Sequence, residues 1–215
     1  MMWMRSFFNY DGPIFQFMSR VFDMMYLNAL CLLSCIPIVT IGPSVTALYY
    51  CYLSISMNQD SSIVKMFFHS FKSNLKQGVL LTLIFIGLMF FLIIDIYLCS
   101  IPELAIPNYF RIVLYILCII LSMVVSYTFP QLAQFKNTIN NLLRNSLLMS
   151  IGNLGYTLAI VFFNAIPWIL LFLFPIIFMK TLPFWLFFGF SAIAWINSKI
   201  FIKLFSKYGF AFQKK

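Results

Sequence analysis

The chain has 215 residues, of which 63% are hydrophobic and only 9% charged, and its formal net charge is +9 at pH 7. A soluble fold of this size cannot cover its surface with so few charges, because soluble domains are about a quarter charged. A bilayer removes that requirement by letting the outer surface stay apolar. The positive balance does not point to nucleic acid, which needs a solvated basic face. Most Lys and Arg lie between apolar segments or at the C-terminus, the distribution of cytoplasmic loops facing anionic lipid.

In chain order, residues 1–20 mix Arg5, Asp11, Pro13 and Arg20 with aromatics and lack a small-residue cleavage site, so no cleavable signal is expected. An apolar run over 21–37 is interrupted by Pro37, Gly42 and Pro43, and a shorter apolar run follows over 44–58. A membrane helix needs about 20 apolar residues. The second run is short by that measure, so a tilted span, a span in thinned lipid and a re-entrant segment all stay open. Residues 78–98, 109–130, 153–178 and 184–203 meet the length easily. Pro167 and Pro175 predict a kink or a tapered end in the third of these, and Pro183 suits the first turn of the fourth.

Charge selects the topology. With six spans and the N-terminus inside, the inner side receives every Lys and Arg except Arg111 and Lys180, or 12 of 14. That is a strong positive-inside bias, whereas five spans place Arg5 and Arg20 outside. The expected fold class is therefore an all-α membrane protein. It has about six transmembrane helices, with both termini inside a bacterial cytoplasmic membrane.

Two inner-side connectors show helical periodicity. Over 61–77 the apolar set Ile63, Val64, Phe67, Phe68, Phe71 and Leu75 opposes Lys65, His69, Lys72 and Lys76, with Asp60 or Ser61 as cap. This predicts an amphipathic helix lying in the interface. Over 136–150, Ile139, Leu142, Leu143 and Leu147 repeat the pattern against Asn140, Asn141, Arg144 and Asn145. The two connectors align weakly, from Phe71 to Leu80 and from Ile139 to Leu148. A parallel internal repeat and convergence on one composition are both open.

The most distinctive stretch begins with Phe8-Asn-Tyr-Asp-Gly-Pro13, Arg20-Val-Phe-Asp23 and Leu27-Asn28, and continues with Pro37-Ile-Val-Thr-Ile-Gly42 and Thr46-Ala-Leu-Tyr-Tyr50. Together with Phe67 to Gln77, its order and spacing resemble the YesL family of bacterial membrane proteins. Members of that family often sit beside genes for carbohydrate uptake and breakdown, ABC importers among them. The resemblance therefore implies a context of sugar uptake. It carries over no catalytic residue, because the family's activity is not established.

Few residues invite chemistry. Asp95 is the one acid well within an expected span. An intramembrane acid suggests function, but the preferred reading is an interfacial Asp that reaches outer water or pairs with Arg111 on the next helix. Asp23, three residues after Arg20, reads as a local ion pair or as a contact to a partner. Asn28, one turn deeper, is placed to hydrogen-bond a neighbouring helix. Thr40 and Gly42 belong either to a plain turn or to a broken helix with free backbone groups. Asn153, Asn164, Asn197 and Lys199 form a candidate polar seam, as packing glue or as a solute path. His69 has no Cys, Asp or Glu cluster beside it, so no metal and no cofactor is expected. Cys31 and Cys35 share a helix face and read as small apolar residues.

These features predict a non-catalytic protein that contacts membrane lipids, with homo-oligomerisation open, and the family resemblance implies an ABC importer or an associated sensor kinase as its partner. Lys65, His69, Lys72 and Lys76 would supply the contact face. A permease-like subunit for a sugar-type solute is the first alternative and a lipid-acting enzyme the second.

Overall fold

The computed structural model describes residues 13–57, 62–101 and 107–208. Arg5, Asp11, Asp60, Ser61, Lys214 and Lys215 lie outside the described residues. Those described form helices and turns, with no strand. The helices are α1 (Pro13–Ser34), α2 (Ile41–Ile55), α3 (Ile63–Leu98), α4 (Asn108–Gln134), α5 (Ile139–Gly152), α6 (Leu154–Leu173), α7 (Pro175–Phe184) and α8 (Phe190–Lys207). A 3-10 turn, Ile38–Thr40, joins α1 to α2, and a π-helical turn, Trp185–Gly189, joins α7 to α8.

Five helical stretches are long and apolar enough to cross a membrane: Ile38–Ile55, Ile63–Leu98, Asn108–Gln134, Leu154–Leu173 and Pro175–Lys207. The chain is an all-α protein of membrane type. Phe90, Phe91, Phe172 and Ile176 point outward, as side chains facing hydrocarbon can. The helix at the expected first span is not among the five, since Arg20, Asp23 and Asn28 dilute its apolar run.

The interface helix expected over 61–77 is not a separate element. It is the first part of α3, which runs unbroken for 36 residues. Gly78 does not end it, because Gly78 faces the ring of Pro43 and serves packing instead. The cap is Ser62, whose hydroxyl accepts the Lys65 N–H at 3.4 Å. The expected apolar face is also rotated: Met66, Phe67, Ser70 and Asn74 are buried, while Phe68 and Leu75 are exposed beside the cations. This face packs on protein rather than lying flat on lipid.

The last two spans differ as well. Pro175 sits in the first turn of α7 and ends α6 at Leu173, while Pro167 is accommodated inside α6. Pro183 lies within α7 and does not start a span, so Pro175 to Lys207 is one helical stretch interrupted only by the π turn. Pro130 likewise lies inside α4. The second connector is a distinct helix, α5, separated from α6 at Asn153. The two aligned connectors therefore differ: one continues into its following helix and the other breaks.

Helix α2 is the hub, packed against α1, α3, α4 and α8. The main core joins Leu27 and Cys31 of α1, Ala47, Leu48, Cys51 and Leu53 of α2, and Phe67 of α3 to Tyr127, Phe201 and Phe205. A second cluster unites Leu81, Phe85, Phe129, Leu132 and Leu142. The α2–α3 contact is backbone-close. A Cβ on Gly42 would stand 2.7 Å from the Gly78 carbonyl and 2.6 Å from the Phe129 ring, and one on Gly78 would stand 2.8 Å from Pro43. The Gly42 N–H donates to Thr82 Oγ1 at 3.1 Å, and Thr82 in turn donates to the Gly78 carbonyl at 2.7 Å.

Candidate functional site

The distinctive interior feature is a polar seam inside an apolar bundle. It begins at the π turn. An i→i+5 turn disturbs the regular helical ladder and often marks a functional position. Gly189 permits the turn: a Cβ there would run into the Trp185 ring, which folds over the backbone. Asn28, fully buried on α1, satisfies what the turn leaves open. Its Nδ2 donates to the Trp185 carbonyl at 3.1 Å and to the Leu186 carbonyl at 2.7 Å. Its Oδ1 accepts the Ser191 N–H at 2.9 Å. The Ser191 hydroxyl is hydrogen-bonded in turn to the Tyr52 hydroxyl of α2.

One turn along α2, the Tyr49 hydroxyl accepts from Asn197 Nδ2 at 3.3 Å. The same amide donates to Asn164 Oδ1 at 2.9 Å, and Asn164 Nδ2 donates to Ser126 Oγ of α4 at 3.1 Å. The Tyr127 and Thr157 hydroxyls bond at 2.8 Å beside them. Five helices are thus joined by side-chain hydrogen bonds. Such bonds are worth about 0.6 kcal/mol each on average in membrane proteins. At the end of the seam Asn153 donates to the Tyr208 hydroxyl at 2.7 Å and accepts from Lys207 Nζ at 3.2 Å. Asn153 and Lys207 border an open depression with Gly152, Gly155 and Tyr156.

The sequence-predicted residues separate into groups. Asn28, Asn164 and Asn197 enter the seam, Asn28 with three bonds rather than one. Asn153 marks its end, and Lys199 lies apart, over the Trp195 ring at 3.6 Å. Thr40 and Gly42 build a satisfied turn: Thr40 Oγ1 donates to the Ser34 carbonyl at 2.6 Å and the Pro37 carbonyl at 2.7 Å.

Asp95 and Arg111 do not pair. The guanidinium donates to the Cys99 carbonyl at 2.6 Å and so closes the end of α3. Asp23 is half-buried on α1 and forms no ion pair with the exposed Arg20. Lys65, His69, Lys72 and Lys76 stand together on the outward face of α3. Cys31 and Cys35 are free thiols. No group of three or more His, Cys, Asp or Glu residues lies together among the described residues.

Sequence reasoning missed Tyr49, Tyr52, Ser126, Tyr127, Thr157 and Ser191. The available signal was the i, i+3 spacing of Tyr49 and Tyr52 in a helix with no charge. A hydroxyl inside apolar surroundings must find a partner.

Residues 24–96 match the model of a family described as "Protein of unknown function, DUF624". No curated protein and no solved structure matches the chain. The matched stretch covers about a third of the chain, from the second half of α1 to the last turn of α3. It holds Asn28, both sides of the Gly42–Gly78–Thr82 contact and the cationic face of α3. Over this stretch the chain is similar to that family.

Proposed function

We propose that the chain is a non-catalytic integral protein of a bacterial cytoplasmic membrane, an accessory or regulatory partner of a carbohydrate uptake system. The partner would be an ABC importer or an associated sensor kinase. The resemblance to the YesL family supports the setting. One observation carries the docking role, namely the first half of α3. Its inward side is fixed in the core by Met66, Phe67, Ser70 and Asn74, and its outward side presents Lys65, Phe68, His69, Lys72, Leu75 and Lys76. Because α3 is continuous with a membrane-crossing helix, this face is held rigidly. Cations alternating with apolar side chains suit an acidic, partly apolar segment of a partner on the positively charged side of the membrane.

Affinity capture from native membranes in mild detergent tests the reading. The wild-type chain should bring down importer permease, ATPase or sensor-kinase subunits in stoichiometric amount. Lys65→Glu/Lys72→Glu/Lys76→Glu should lose them while remaining in the membrane fraction. Recovery of the wild-type chain alone refutes the proposal. The seam of Tyr49, Asn164 and Asn197 favours a second reading, a permease-like subunit passing a hydroxyl-rich solute. Flux of labelled sugar into proteoliposomes holding only this chain, above that of empty vesicles, would support it.

A further inference from the structure

We infer that α1 and α2 form a re-entrant hairpin. It enters the bilayer from the side bearing the cations, turns near mid-depth and returns, so its apolar tip at Ile36–Ile41 lies in hydrocarbon and not in water beyond the far face. The depth scale is α3. No charged residue occurs between Lys76 and Asp95, and at about 1.5 Å per residue those two positions are about 28 Å apart along the helix axis. That matches the roughly 30 Å hydrocarbon core of a bilayer, so Lys76 and Asp95 mark its two borders.

The first turn of α2 docks near one of those borders. Gly42 touches Gly78 and Thr82, and Pro43 touches Gly78. Thr82 is only about 9 Å beyond Lys76. From there α2 runs back along the first part of α3, and Cys51 Sγ donates to the Ile63 carbonyl at 3.9 Å. Helix α2 therefore lies beside residues 63–82, while residues 83–98 of α3 extend past it. The 3-10 turn adds about one further helical turn of depth, or about 5 Å. The tip then lies about 14 Å from the Lys76 border, roughly half of the hydrocarbon core.

Two further observations agree. The tip is apolar and bare: Ile36 is 74% and Ile38 66% exposed, with Val39 and Ile41 exposed beside them. A turn in outer water has no reason to present four aliphatic side chains. Part of its polar backbone is satisfied internally: Thr40 Oγ1 reaches the Ser34 and Pro37 carbonyls, and the Thr40 N–H donates to the Pro37 carbonyl at 2.9 Å. In addition, 61% of the Ile38–Ile55 window is buried in protein, against 17% for each of the other four candidate spans. Non-crossing backbone at membrane depth is tolerated where protein encloses it, as it encloses most of α2 from Gly42 to Ser54. The positive-inside count cannot distinguish this arrangement from two full spans. Both return the chain to the same side, and residues 24–57 carry no charge.

Single cysteines in a variant lacking the five native ones test the inference. Val39→Cys is compared with Ser100→Cys and Ser206→Cys, using a membrane-impermeant maleimide on right-side-out and inside-out vesicles. Ser100→Cys should label only from outside and Ser206→Cys only from inside. Val39→Cys should label from neither side until detergent is added. Labelling of Val39→Cys from either side of intact vesicles overturns the inference. Should the cysteine-free chain fail to fold, Val39→Lys in the native chain serves instead. It should reduce folded membrane protein several-fold, because a cation at mid-depth is costly, whereas Ser100→Lys should leave it unchanged. Equal levels of the two lysine variants overturn the inference as well.

Discussion

Replacing Asn28 with Leu keeps the branching of the side chain and opens no cavity, so its cost reports the lost polar contacts together with some strain from methyls larger than the amide. Asn28 makes three hydrogen bonds, at 3.1, 2.7 and 2.9 Å, to two carbonyls at the π turn and one N–H of α8. The substitution leaves the Trp185 and Leu186 carbonyls and the Ser191 N–H without these partners. Each buried unsatisfied group costs about 1–3 kcal/mol, while interhelical bonds in membrane proteins average about 0.6 kcal/mol. Three groups together should cost about 2–4 kcal/mol, between those limits. Unfolding by titration with a denaturing detergent, followed by the fluorescence of Trp185 and the other tryptophans, reads the change. Asn28→Asp keeps the acceptor for Ser191 but loses both donors, so it should fall at least as far. A loss below about 0.5 kcal/mol for Asn28→Leu would refute the view that Asn28 ties α1 to the π turn.

Three other outcomes follow from the same contacts. Gly42→Ala and Gly78→Ala should each destabilise by at least about 2 kcal/mol, since the new methyl meets backbone or a proline ring that cannot yield; the same unfolding titration checks this. Thr82→Val should cost about 1 kcal/mol, because it removes the acceptor for the Gly42 N–H while keeping the shape. Asn28→Leu combined with Gly42→Ala should cost less than the sum of the two, because they hold opposite sides of one hairpin. Additivity within about 0.5 kcal/mol would mean that the hairpin does not dock as a unit.

The all-helical membrane class was legible because composition and long apolar runs leave few alternatives. Helix boundaries were less so, and the misses share a cause. The Lys65–Lys76 stretch was separated from the following span because its composition changes at Gly78. Backbone continuity depends on breakers, and Gly78 is used to admit Pro43 rather than to end a helix. Likewise Pro183 suited a first turn, yet Pro175 eight residues earlier took that role. Among the site residues, Asn28, Asn164 and Asn197 stood out because amides are conspicuous in apolar helices. The hydroxyls completing the seam did not, because Tyr, Ser and Thr also occur where they bond their own helix, as Thr46 does with the Gly42 carbonyl. The Asp95–Arg111 pair failed for a geometric reason. Arg111 stands within reach of the last turn of α3, where Cys99 offers a free carbonyl.

The seam and the glycine contact together say what kind of object the first third of the chain is. Helices α1 and α2 are clamped twice, on one side by close backbone approach to α3 at Gly42, Gly78 and Thr82, and on the other by Asn28, Tyr49 and Tyr52 bonding to the π turn and α8. The first clamp is steric and tolerates no added atom, while the second is polar and directional. Lys76 stands half a turn before Gly78 on α3, so the exposed cationic face and the steric clamp share the same stretch of helix. A partner bound at Lys65–Lys76 would therefore act on the turn that holds the hairpin. The seam ties that hairpin to α8, so the cationic stretch of α3, the hairpin and α8 are joined by contiguous contacts.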